Sequence, residues 1–315
     1  MNLFSTKPSM LEEAEKAHFK PHFILQVLLF VLVFFVVQIP SSIISAFYMI
    51  QRALSDPNVN DISKLEEYLT NIENSMPQNL MLISLFCTAI ATVLTIVYCK
   101  FIEKRSLHSM GLVKKSAISD YFKGLLIGFL IFSLSVLIAY VTGTIEFNGL
   151  NSNIAYGIIF LFFLGFLIQG MNEEVMLRGY LMVSLANKGP IIAAIIVNSV
   201  IFALLHLLNP GVSFLPIFNI ALFGAFASIY ALKSDSLWGI CAVHSAWNFV
   251  QGNFFGFQVS GLETSSSILS FSATKSGELI NGGSFGMEGG LAVTISLALG
   301  IIILLFIKGK NSKAV

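Results

Sequence analysis

Eight apolar runs, each close to the length a helix needs to cross a bilayer, limit what this chain can fold into. They occupy residues 23–49, 79–99, 122–142, 154–177, 190–208, 214–232, 236–257 and 289–307. A spanning helix takes about 20 mostly apolar residues. The chain is 56% hydrophobic and 11% charged, less than half of the roughly 25% charge of a soluble domain, so lipid is the solvent for most of it. The expected fold is all-α, a polytopic membrane bundle with about eight transmembrane helices. Pro40 in the first run predicts a kink or an early stop near its outer end.

Lys and Arg in the connections set the orientation. With the N-terminus in the cytoplasm, 14 of the 18 fall on inner segments, from Lys7, Lys16 and Lys20 to the tail Lys308, Lys310 and Lys313, against Arg52, Lys64 and Lys275 outside. Both termini are therefore expected in the cytoplasm. The N-terminal segment lacks the shape of a cleavable signal peptide, so the first run is expected to stay as an anchor. The outer loop 51–78 is acidic and predicts a short helix of its own, whereas the outer loop 258–288 is rich in Ser and Gly and reads as flexible. No internal repeat and no soluble second domain is visible. A net charge of +1 gives no sign of nucleic-acid binding. Cys87, Cys99 and Cys241 sit in apolar runs without metal-type spacing and read as small buried hydrophobes.

Against that background, "GMNEEVMLRGYLM" (residues 170–182) stands out, because it carries Glu173, Glu174 and Arg178 between long apolar runs. Charged groups inside a bilayer are costly and mark function, although charges at helix ends also snorkel to the interface, as Lys188 and Lys233 are expected to do. Two further patterns join the trio. "FALLH" sets Phe202 four residues before His206, and "HSAWN" sets His244 four before Asn248, each pair on one helical face. Measured at 1.5 Å per residue from the turn at 186–190, Glu173 and His206 reach a similar depth, roughly 22–27 Å. His244 matches that level if the segment after Glu173 projects beyond the membrane. Adjacent Glu residues point about 100° apart on a helix and are not expected to face one site together. Arg178 follows Glu174 by four residues, the favourable order for an ion pair. That leaves Glu173 free to face His206 and His244.

A carboxylate, two imidazoles and a carboxamide in a dry pocket suit the activation of water, with hydrogen-bond donors for an oxyanion. No Ser or Cys is patterned as a nucleophile, and no Asp lies in any of the eight runs. The same Glu173, His206 and His244 would also make a zinc set with an open position, although the spacing HExxH is missing.

In that order, EExxxR, FxxxH and HxxxN resemble the CAAX-protease and bacteriocin-processing (Abi, or type II CAAX prenyl endopeptidase) family of intramembrane proteases. The resemblance covers about residues 154–257. It implies that Glu173 and His206 activate the attacking water and that His244 and Asn248 stabilise the oxyanion. Glu174 and Arg178 would support the site and Phe202 would pack beside it; zinc stays open. The implied division is a cytoplasmic segment 1–22, transmembrane helices and loops 23–153, a catalytic core 154–257, and a last section 258–315 of loop, helix and basic tail. The implied activity is hydrolysis of a peptide bond in a membrane-bound or lipophilic peptide or protein, at the bacterial inner membrane, in peptide maturation, CAAX-type processing or bacteriocin immunity. The rival expectations are a transporter and a non-catalytic scaffold or immunity protein using the same polar residues.

Overall fold

The computed structural model describes residues 7–55, 64, 77–307 and 309. The short helix expected within 51–78 falls outside the described residues. Among the described residues 73% are helical and one two-stranded sheet is present, the outcome required when most backbone polar groups must be satisfied away from water.

Among the described residues, five helical segments are long and apolar enough to cross a membrane. They are α2 (Phe23–Ser55), α3 (Gln78–Phe101), α4 (Ala117–Val141), the compound stretch Tyr156–Ala186, and α8 (Phe214–Ser234). The compound stretch consists of α5 (Tyr156–Glu174), a π-helical segment Val175–Met182 and α6 (Val183–Ala186). The remaining apolar runs form shorter helices: α7 (Ile191–Leu204), α9 (Trp238–Phe249) prolonged by a π-helical turn Val250–Phe255, and α11 (Leu291–Phe306). The expected count of eight full spans is therefore not obtained. In the fifth run, "LHLLN" (residues 205–209) is apolar enough to extend a hydropathy window but folds as a turn, closed by Pro210 and by Gly211 at φ +70°. Conversely, α2 continues through Pro40 to Ser55 instead of stopping early. α4 begins at Ala117 and so includes Asp120, an acid that the expected run left outside.

The supposedly loose loop 258–288 is folded. It contains β2 (Leu269–Ala273), antiparallel to β1 (Ile145–Leu150), then short 3-10 turns and α10 (Glu278–Asn281). Its glycines serve close packing. A Cβ on Gly282, at φ +85°, would stand 1.9 Å from the Gly286 carbonyl oxygen.

α9 runs through the centre, and every residue from Gly239 to Asn248 is buried. Small residues hold it there. On α4, Gly124 and Gly128 approach so closely that a Cβ would lie 2.1 Å from the Gly239 carbonyl and 2.5 Å from that of Val243. This is the small-xxx-small contact by which membrane helices gain van der Waals packing without a hydrophobic drive. On the other side, Gly170 of α5 abuts Ser245 in the same way. α9 therefore has little freedom to slide or rotate.

At one end of the bundle the connections interlock with a short helix α1 (Ser9–Ala14). The Ser9 and Met10 amides donate to Asp235 at 2.8 and 2.9 Å, and Asn187 Nδ2 donates to the Ala14 carbonyl at 2.9 Å. Lys233, expected to snorkel, is instead buried; Nζ donates to the carbonyls of Leu305 at 3.3 Å and Ile307 at 2.7 Å. It meets carbonyls at the end of α11 that have no helical partner, where a cation also suits the helix dipole.

Gly128→Leu is expected to destabilise the protein by roughly 1–3 kcal/mol, because the Val243 carbonyl cannot yield without moving α9. Gly157→Ala, where a Cβ meets nothing within 4 Å, is expected to leave the melting temperature in detergent micelles unchanged or slightly raised.

Candidate active site

The centre of the site is an ion pair with no exposure to solvent. Arg178 Nη1 donates to Glu174 Oε1 at 2.9 Å, and both side chains are fully buried. The guanidinium also donates through Nη2 to the Gly224 carbonyl of α8 at 3.3 Å and lies 4.7 Å from the centre of the Phe202 ring, a cation–π contact. Glu174 Oε1 accepts a second hydrogen bond, from His244 Nδ1 at 2.8 Å. That bond requires the proton on Nδ1 and leaves Nε2 facing the cavity.

Nε2 of His244 stands 3.6 Å from Glu173 Oε2, too far for a hydrogen bond. The two adjacent glutamates thus converge on one imidazole, contrary to the expectation that they could not share a site. The 100° between their directions is spanned by the ring, which offers one nitrogen to each. Their surroundings still differ, because Glu173 lines the cavity whereas Glu174 is sealed beneath it.

A residue overlooked in the sequence fixes Glu173. Gln169, one helical turn earlier, donates its amide N–H to Glu173 Oε1, and its carbonyl accepts from Asn248 Nδ2 at 2.9 Å. The direction of this chain is forced: a carboxylate only accepts, so Gln169 must donate to it and then accept from Asn248. Glu173 Oε2 is left buried without a hydrogen-bond partner among the described residues.

His206 lies beyond the end of α7, in the turn, rather than on its face. Its ring folds back so that Nδ1 meets the Phe202 carbonyl at 2.8 Å, and its centre is 4.9 Å from that of Phe202. Donation from Nδ1 to that carbonyl makes Nε2 the free, accepting nitrogen. Phe202 also packs edge-on to His244 at 6.0 Å, so one ring separates both histidines and backs the Arg178 guanidinium.

Glu173, His206, His244, Asn248 and Phe202 all line one cavity of about 320 Å³. Glu288, also unremarked in the sequence, joins them from the folded loop. Its carboxylate accepts from Trp247 Nε1 at 2.8 Å and from the Ser260 amide and hydroxyl at 2.8 and 2.9 Å. No metal set emerges: among the described residues, no three His, Cys, Asp or Glu side chains are disposed to hold an ion. Glu173, His206 and His244, the set that would hold zinc if a metal were used, are not grouped to do so.

The π-helical segment after Glu174 is itself supported. Wide turns free backbone carbonyls, and Arg105 takes two of them, Gly179 at 2.8 Å and Tyr180 at 3.3 Å, while also donating to Ser184 Oγ at 2.8 Å. Glu103 beside it, 3.2 Å from Arg105 Nη1, is pushed up in pKa by burial, with Arg105 and Ser184 opposing.

Arg178→Met leaves the Glu174 charge buried and is expected to cost roughly 3–5 kcal/mol, the penalty for breaking a buried pair. Adding Glu174→Gln to that variant should restore much of the loss in thermal unfolding, since no uncompensated charge then remains.

No curated protein and no solved structure matches the chain. A family model does, over residues 155–250, described as type II CAAX prenyl endopeptidase Rce1-like. Glu173, Glu174, Arg178, Phe202, His206, His244 and Asn248 all fall inside residues 155–250, the stretch that is similar to the Rce1-like type II CAAX prenyl endopeptidase family.

Proposed function

We propose that the protein is an intramembrane endopeptidase in which Glu173 activates water against a peptide bond of a membrane-associated peptide or protein. One observation carries this reading. A buried carboxylate oxygen, Glu173 Oε2, has no hydrogen-bond partner among the described residues and faces a cavity shared with two imidazoles and a carboxamide. Glu174 Oε2 and Glu103 Oε1 are likewise buried without a partner, but neither residue lines the cavity; of the three, only Glu173 presents its carboxylate where water and a substrate can meet it.

The steps follow from the hydrogen-bond pattern. Glu173 Oε2, with His206 Nε2 as the second acceptor, takes a proton from water as its oxygen attacks the substrate carbonyl carbon. Negative charge gathers on the carbonyl oxygen. Asn248 Nδ2, which uses one N–H on Gln169, has the other available, and His244 supplies positive charge when its Nε2 is protonated and Glu174 holds its Nδ1. Collapse of the tetrahedral intermediate breaks the C–N bond, and the proton held by Glu173 passes to the leaving amine. Gln169 keeps Oε1 of Glu173 occupied, so Oε2 is the oxygen that reacts.

The Rce1-like domain supports proteolysis in the membrane. We infer a membrane-bound or lipophilic substrate because the cavity wall includes Phe34, Leu85 and Phe166 among its apolar faces. Peptide maturation, CAAX-type processing and bacteriocin immunity are the roles consistent with such a substrate, and the bacterial inner membrane is the location.

With purified protein and a quenched peptide library, Glu173→Gln and His206→Ala are each expected to lower kcat by about 10²–10⁴-fold, the range for a general base. Asn248→Ala is expected to lower it by about 10²–10³-fold, the range for an oxyanion donor. Circular dichroism should show each variant folded. Full activity in Glu173→Gln would overturn the assignment in favour of a non-catalytic protein. Activity is expected to survive chelator, because the three donors do not form a metal set.

A further inference from the structure

We propose that the cavity takes its substrate from the extracytoplasmic side, so that the substrate class is a polypeptide segment already presented at the outer face of the membrane. The proposal rests on the protease reading above. Its evidence is independent of that chemistry, since it combines the position of the cavity with the distribution of cations.

The connections fall into two groups. Residues 7–22, 102–116, 187–190 and 233–237 gather at one end, held by the contacts of α1 with Asp235 and Asn187 and by the Leu237 amide donating to the Gly111 carbonyl at 2.9 Å. Residues 142–155, 205–213 and 256–290 gather at the other. There the Ala155 amide donates to Ser266 at 3.2 Å, Asn209 Nδ2 donates to the Ser260 carbonyl at 3.1 Å, and β1 pairs with β2.

The cavity belongs to the second end. Its wall includes Asn209, Val259, Ser260, Leu262 and Glu288 from those connections and no residue of the first group. The helices agree. α3, α8 and α11 all start at the second end, and each contributes only its early residues: Met81, Leu85 and Thr88 of α3, Asn219, Ile220 and Phe223 of α8, and Val293 and Leu297 of α11. Towards the first end, the segment from Glu174 to Leu185 is buried throughout, and α1 and the Arg105 cluster lie against it. The cavity thus has a floor at the first end and a rim at the second.

The cations assign the sides. Of the 18 Lys and Arg residues, 14 lie at the first end or in the sequence that follows it, three belong to the second, and Arg178 is internal. Short membrane connections rich in Lys and Arg stay in the cytoplasm. The rim is therefore extracytoplasmic. Glu288 ties Trp247, on the helix of His244 and Asn248, to Ser260 on the rim, so the outer loop is built into the site's entrance.

The test uses the full chain in sealed membrane vesicles of both orientations, with a membrane-impermeant quenched peptide library and detergent-solubilised protein as the reference. Right-side-out vesicles are expected to cleave, and inside-out vesicles to show no signal above the Glu173→Gln background. Cleavage by inside-out vesicles alone, or in detergent alone, overturns the proposal and leaves the protease reading standing. Absence of cleavage even in detergent counts against the protease reading, and the facing is then decided by labelling. In a Cys87→Ser background, Glu263→Cys, exposed beside the rim, is expected to react with an impermeant maleimide in right-side-out vesicles, and Lys114→Cys in inside-out ones. The reversed pattern overturns the proposal whatever the activity.

Discussion

The bond on which the rest depends is the buried pair of Glu174 and Arg178. Neither ion touches solvent, so each would carry a desolvation penalty of several kcal/mol if left alone. Attraction to one partner seldom offsets that. Here the guanidinium is also met by the Gly224 carbonyl and the Phe202 ring, and the carboxylate by His244. Helices α5, α7, α8 and α9 must therefore all be in place for the pair to be tolerable. The same requirement fixes the tautomer of His244 and the level of Phe202, so the geometry of the site comes with the assembly of the bundle.

A second constraint is steric. α9 carries His244, Trp247 and Asn248, and its position is set where Gly124, Gly128 and Gly170 let backbone meet backbone. In hydrocarbon this close packing replaces the hydrophobic drive that water would supply. Position and charge are thus controlled by different residues on different helices.

The apolar runs and the charged motifs were legible because both are improbable against their surroundings: long stretches without charge, and then Glu, Arg and His within them. Gln169 was not legible, because a Gln near the end of an apolar helix is unremarkable until its partners on Glu173 and Asn248 are known. Glu288 was hidden in a Gly-rich loop that reads as loose, since composition does not separate glycines that permit tight packing from glycines that permit motion. Lys233 looked like a snorkelling cation because the sequence does not show that the last helix ends beside it. The count of eight spans is not confirmed, for a related reason. "LHLLN" has the composition of a helix, but its Leu residues lie in a turn whose path is set by Pro210 and Gly211. The paired contacts of Glu173 and Glu174 were missed because side-chain direction alone ignores the width of the ring between them.

The shortness of α7 and α11 has a consequence for the surrounding lipid. With 14 and 16 residues they rise about 21 and 24 Å, against a hydrocarbon core of roughly 30 Å. Both pack on α8, so the mismatch is concentrated in one sector of the perimeter, next to His206. A bilayer meets a short wall by thinning, at a fraction of a kcal/mol per Å. Thinning there would bring headgroups and water towards the turn that holds His206, so the acyl-chain length of the host membrane is expected to bear on the environment of the site.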